Sequence, residues 1–97
     1  MSLPVAFYRA ANAEFADASA WYENKREGLG TTFITEIERC VALAAENPLR
    51  YAFAHSDIRR VVARRFPYSV YFRLEDSRIV VLAVFHSRRN PAIWQSR

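Results

Sequence analysis

The sequence predicts an α+β domain: a short strand, an antiparallel helical hairpin, then a three-stranded antiparallel meander, with the helices packed on one face of the sheet. Three observations carry that expectation. Apolar residues recur at helical spacing from Ala11 to Ala44, then at a spacing of two from Ile58 to Phe85. The change of period falls after Asn47-Pro48, a pair that stops a helix. The last strand-like run, Ile79–Phe85, is apolar at every position, as expected of an interior strand covered on both faces.

The elements follow in order. Leu3–Ala10 (LPVAFYRA) reads as a short edge strand, with Pro4 tolerated near its start. Ala11, Phe15, Ala18 and Tyr22 then mark one face of an amphipathic helix, with Trp21 beside them and Glu14, Asp17 and Glu23 on the other faces. Gly28-Leu29-Gly30 ends it, since glycine terminates a helix and turns the chain without steric penalty. A second helix is expected from Thr31 or Thr32, either of which can cap it. Its stripe is Leu29, Phe33, Ile37, Cys40 and Ala44. A connection this short makes the two helices an antiparallel hairpin that hides Phe15, Trp21, Phe33 and Ile37.

Residues 49–57 read as a loop. Ile58–Arg65 reads as a strand with basic residues on both faces, and so as one near a sheet edge. Tyr68, Val70, Phe72 and Leu74 alternate with Ser69, Tyr71, Arg73 and Glu75 in a half-buried strand. Glu75-Asp76-Ser77 supplies the hairpin turn into the last strand. Ninety-seven residues, 52% of them hydrophobic, make one domain over 1–97 with a sizeable core. The lone Cys40 sits on an apolar helical stripe and is expected to be a buried thiol.

Charge is the informative part of the composition. The formal net charge is +4, unevenly spread. Residues 1–50 hold five basic and seven acidic residues, whereas residues 51–97 hold nine arginines and three acids. Thirteen of the fourteen basic residues are arginine, the cation suited to bidentate contact with carboxylate or phosphate. An acidic or polyanionic partner is expected. Both helices are acidic on their outer faces, which argues against a basic recognition helix and a small non-toxic nucleic-acid-binding regulator. No apolar run is long enough for a transmembrane helix and the first residues lack a signal-peptide pattern, so a cytoplasmic protein with no membrane contact is expected.

Taken in order, the motifs resemble the ParE/RelE superfamily of small bacterial toxins, the poison halves of type II toxin–antitoxin pairs often labelled plasmid stabilisation proteins. The resemblance runs through the alanine-rich first helix ending WYE (21–23), GLG followed by Phe33, the Ile37-Glu38 pair and Asn47-Pro48. It continues through IRR (58–60), RRFPYSVYFR (64–73) and VLAVFHSRRNPAIW (81–94). It implies the fold derived above, a cognate antitoxin bound in a hetero-oligomer, and no cofactor or metal. Two target classes follow from it: DNA gyrase in the ParE-like branch, the ribosome and mRNA in the RelE-like branch.

RNA cleavage by its own 2′-hydroxyl needs a base, a cation at the phosphate and an acid. Histidine can serve as base or acid near neutral pH, and His86 is the only histidine read as lying on the sheet. If the chain were a nuclease, His86, Arg65 and Arg88 would be its catalytic residues. Two features favour the ParE-like side. Phe66-Pro67-Tyr68 stands where ribosome-dependent nucleases place a basic residue, and the tail offers Trp94, whose only polar group is an N–H. As a gyrase poison the chain needs no catalytic residue. His86, Arg88, Arg89, Trp94 and Arg97 would then bind the target, while Tyr8, Arg59, Arg60 and Arg64 would meet the antitoxin.

Overall fold

The computed structural model describes residues 2–97. The elements run β1 (Val5–Phe7), α1 (Arg9–Lys25), α2 (Leu29–Glu46), a 3-10 turn (Pro48–Arg50), β2 (Phe53–His55), β3 (Ile58–Val62), β4 (Tyr68–Glu75), β5 (Arg78–His86) and α3 (Ala92–Gln95). The five strands form one sheet in the order β1-β5-β4-β3-β2. β1 runs parallel to β5, and the other pairs are antiparallel. The expected α+β architecture and the meander β3-β4-β5 are present.

Four local expectations are corrected. β2 lies within the stretch expected to be a loop and forms the edge, with β3, expected near an edge, beside it as the second strand in. His55 therefore joins His86 on the sheet. α2 begins at Leu29, ahead of both threonines, and neither of them caps it through its side chain. Glu23 does that work from α1: its two carboxylate oxygens accept the Gly28 and Gly30 N–H groups, both at 2.9 Å. An acid here also complements the positive end of the α2 dipole. Lastly, Trp21 is 56% exposed rather than hidden, because it stands one residue off the α1 stripe that faces α2.

Two glycines make the hairpin possible in different ways. Gly28 has φ 84°, which few residues other than glycine adopt without strain. Gly30 sits where α1 and α2 nearly touch, and a Cβ there would meet the Ser19 carbonyl oxygen at 2.7 Å. At the other hairpin, Asp76 and Ser77 have φ values of 48° and 61° between the paired Glu75 and Arg78. Two positive φ angles give the primed turn whose twist matches the strands it joins.

The sheet has two apolar faces, each covered by something different. On one, Phe33, Ile37, Cys40 and Ala44 of α2 and Ala11 and Ala18 of α1 pack on Val61, Val70, Phe72, Ile79, Val81 and Val84. On the other, Ile58, Tyr71, Leu82, Ala83 and Phe85 are covered by Trp94. β5 therefore is buried from Ile79 to Phe85, as the continuous apolar run requires. Glu36 ties α2 to the β3–β4 connection. Its carboxylate accepts two bonds from Arg39 at 2.8 Å and the backbone N–H of Arg64. The Arg39 guanidinium first, and the Arg64 N–H with it, hold the Glu36 carboxyl at about 2 against the cost of burial. The Cys40 thiol is buried and pushed up to about 11, chiefly by desolvation.

Candidate functional site: an arginine-lined face

β1 covers only the first third of β5, pairing Val5, Ala6 and Phe7 with Ile79, Val80 and Val81. Directly after Val81, β5 carries one extra residue against β4: Val81 faces Phe72 and Ala83 faces Tyr71, leaving Leu82 between them. Such a bulge reverses which groups point to the open edge. Beyond it, side chains replace the missing neighbour strand. The Glu14 carboxylate accepts the Val84 N–H at 3.2 Å, and Arg97 donates to the Leu82 carbonyl at 2.9 Å. Arg97 also grips both Glu14 oxygens, at 3.0 and 2.8 Å. A buried carboxylate with these donors is well satisfied.

The chain leaves β5 at His86 and turns back through Ser87–Pro91. The His86 Nδ1 accepts the Arg88 backbone N–H at 3.0 Å, and the Asn90 side-chain oxygen accepts the Ala92 N–H at 3.0 Å. These local bonds hold the turn and start α3, whose single turn lays Trp94 flat on Tyr71 with ring centroids 3.9 Å apart. His55 of β2 stands edge-on to the same indole at 6.1 Å. Trp94 is 3% exposed, and its indole N–H meets no acceptor among the described residues.

Two cavities flank this corner. On the helix side, a cleft of about 510 Å3 is walled by Asp17, Trp21 and Tyr22 of α1 and by Tyr68 and His86 across from them. His86 presents its ring edge-on to Tyr68 at 5.2 Å. On the tail side, a hollow of about 260 Å3 is lined by polar groups from Arg60, Ser87, Arg89 and Gln95 above Tyr71 and Trp94. Arg89 reaches both. Its guanidinium lies over the Phe85 ring at 4.4 Å and approaches Glu14 at 3.8 Å.

The structure sorts the residues singled out from sequence. His86, Arg88 and Arg89 stand together at the end of β5, with Arg88 and Arg89 exposed. Trp94 and Arg97, expected on an exposed contact surface, are turned inward: one roofs the second core and the other is locked to Glu14. Arg59 and Arg60 alternate along β3 and so take opposite faces. Arg59 donates to the Tyr51 carbonyl and covers Phe53, whereas Arg60 reaches the tail-side hollow. Arg64 is exposed beside α2, and Tyr8 is half-buried between the two cores, its hydroxyl accepting from Arg73 at 3.4 Å. The four residues expected to meet an antitoxin therefore do not form one patch.

Arg65 stands apart from His86, in a hollow with Thr31, Thr32 and Thr35, and is held at φ 69°. The three residues of a nuclease reading are thus divided between two places. Sequence reasoning missed His55, Glu14 and the placement of Arg60. Only the alternation along β3 signalled the last of these. Among the described residues no group of three or more His, Cys, Asp or Glu side chains is placed to hold a metal ion, and no helix is long and apolar enough to cross a membrane.

The architecture is a helical hairpin on one face of a mixed five-stranded sheet, with a basic corner at the end of its longest strand. Two solved structures share it. The chromosomal ParDE system from P. aeruginosa matches at a TM-score of 0.74 and 18% identity, over 88% of this chain and 96% of that one. The RelBE2 toxin–antitoxin complex from Mycobacterium tuberculosis matches at 0.57 and 20% identity, over 89% and 99%. No curated protein matches the chain by sequence. The family described as ParE toxin of type II toxin-antitoxin system, parDE, matches residues 5–91. The chain belongs to that family and is a toxin of a type II toxin–antitoxin system.

Proposed function

We propose that this toxin acts in the cytoplasm on DNA gyrase, holding the enzyme in its DNA-cleaved state, and that a cognate antitoxin neutralises it in a hetero-oligomer. The observation that carries the gyrase reading is the poverty of proton-transfer groups at the basic corner. The tail-side hollow is lined by no carboxylate, no lysine and no histidine other than His86. The Nδ1 of His86 is engaged by the Arg88 N–H, which leaves Nε2 as the ring nitrogen not held within the turn. His55, the other histidine of the sheet, packs by Trp94 on the tail side, while the His86 ring packs by Tyr68, which belongs to the helix-side core. RNA cleavage needs an acid and a base on one phosphate, and the two rings pack against different aromatic partners, Trp94 and Tyr68.

What the corner offers is binding. Arg60 and Arg89 are exposed at one hollow and Arg88 is exposed on the turn beside Arg89, and arginine is a residue type that anchors interfaces. Arg60 takes the part that sequence reasoning gave to Trp94 and Arg97. For the antitoxin, support comes from the toxin–antitoxin complexes among the structural neighbours and from the helix-side cleft, where the exposed Trp21 presents an apolar surface.

The test is to induce the chain alone in bacterial cells and follow labelled precursors into DNA and into protein over the first minutes. DNA synthesis is expected to fall first, and purified gyrase is expected to accumulate cleaved DNA with the wild-type chain. Protein synthesis falling first, with mRNA cut in a His86-dependent way, would overturn the reading in favour of the endoribonuclease.

A further inference from the structure

The tail-side hollow has a property that neither gyrase binding nor antitoxin binding requires: every charged or polar side chain lining it besides His86 can donate, and none is a carboxylate. Arg60 comes from β3, Ser87 and Arg89 from the turn after β5, and Gln95 from α3. Arg60 joins none of the ion pairs among the described residues. Arg89 has a single acidic neighbour, at 3.8 Å, and that neighbour is already held by Arg97 and the Val84 N–H. Trp94 also lines the hollow, and its indole N–H, buried from solvent, has no acceptor among the described residues. Two guanidinium groups beside a hollow without a carboxylate repel each other unless an anion lies between them.

We infer that this hollow binds a phosphate group of a nucleic-acid backbone. A carboxylate is planar and one arginine satisfies it in bidentate fashion. Here two arginines, a hydroxyl and an amide converge from three elements, which suits the tetrahedral oxygens of a phosphodiester. The volume of about 260 Å3 is that of a small anion with its immediate shell, not of a folded peptide segment. The aromatic rings beneath are already committed. Tyr71 and Trp94 are buried and stacked on each other, so neither has a face left for a base. The contact therefore reads the backbone and not the sequence. Arg88 is exposed on the adjoining turn. This inference rests on the gyrase reading only for the source of the phosphate. Duplex DNA held by gyrase and single-stranded RNA share the same chemistry.

The experiment titrates the full chain with inorganic phosphate, and separately with acetate at equal ionic strength. It follows the arginine Nε–H and tryptophan indole signals by nitrogen–proton NMR. Phosphate is expected to shift Arg60, Arg89 and the Trp94 indole saturably while acetate does not. Acetate matching phosphate, or neither moving those signals, overturns the proposal. Binding of labelled duplex DNA and single-stranded RNA is then measured against salt for wild type, Arg60→Gln and Lys25→Gln. Loss of a charge-assisted contact is expected to weaken binding about tenfold in Arg60→Gln and to lower the salt slope by about one. Lys25→Gln, the same change of net charge on α1, is expected to stay within about twofold. Equal effects of the two substitutions also overturn the proposal. Whichever nucleic acid depends on Arg60 identifies the source. A wild-type chain that poisons gyrase without binding phosphate in this hollow would sink this inference alone, and one that binds phosphate there without poisoning gyrase would sink the gyrase reading alone.

Discussion

Glu36 should dominate the acid limit of this protein. Its side chain is 13% exposed, and it joins Arg39, the Arg64 N–H and the Cys40 thiol within α2 and the β3–β4 connection. In the folded chain its carboxyl is held at about 2 rather than 4.5, with the Arg39 hydrogen bond the leading cause. Above the unfolded value both states are ionised and the full stabilisation is present. As the pH falls below 4.5 the unfolded chain takes up the proton and the folded chain does not, so stability declines with each step towards 2. A shift of this size corresponds to about 3 kcal/mol, trimmed to about 2–3 kcal/mol because Arg39 opens to solvent. Glu36→Gln keeps the shape and removes the charge. Urea unfolding of both proteins from pH 7 to pH 2 is the assay. The variant is expected to be less stable at pH 7 by about that amount, with the gap closing between pH 4.5 and 2. Parallel curves across that window would refute the reasoning and move the acid sensitivity elsewhere.

Three further outcomes can be checked by the same unfolding measurements. Trp94→Ala should cost about 2–4 kcal/mol, the usual loss of a large buried ring lessened by removal of an unpartnered N–H, whereas Trp94→Phe should cost less than about 1.5. An unchanged midpoint in Trp94→Ala would mean that α3 is not seated on Tyr71. Gly30→Ala should destabilise by about 1–3 kcal/mol, because the new methyl meets the Ser19 backbone of α1 and backbone cannot step aside. Ser77→Gly should stabilise by about 1 kcal/mol by relieving a positive φ at the β4–β5 turn, and a loss instead would show that the Ser77 side chain matters there.

The parts of the fold legible in the sequence are those with many repeats of a period. The Phe33-Ile37-Cys40-Ala44 stripe and the alternation from Tyr68 to Glu75 each offer several votes for one geometry. β2 offers three exposed residues and no alternation worth the name, so Phe53–His55 passes for loop. The Glu23 cap was hidden for another reason: it reaches forward from the last turn of α1, outside the pattern in which a threonine caps its own helix. For the site, chemistry outran placement. His86, Arg88 and Arg89 were recognisable as a group because they are neighbours in sequence. That Trp94 turns inward depends on Tyr71, twenty-odd residues earlier, and on a helix of one turn that carries no periodic signal. Arg97 likewise finds Glu14 only once α1 lies against β5.

The parallel pairing of β1 with β5 also sets a timetable. Val5 meets Ile79, and between them the whole hairpin, β2, β3 and β4 must be made first. A chain built from its first residue onward can fold α1 against α2 early, through contacts near in sequence. It cannot close the sheet over β1, roof the second core with Trp94 or bring Arg89 to the rim until nearly all of it has left the ribosome. The helical surface thus exists while the basic corner does not. A partner that grips the hairpin alone would meet the chain before its basic corner is assembled.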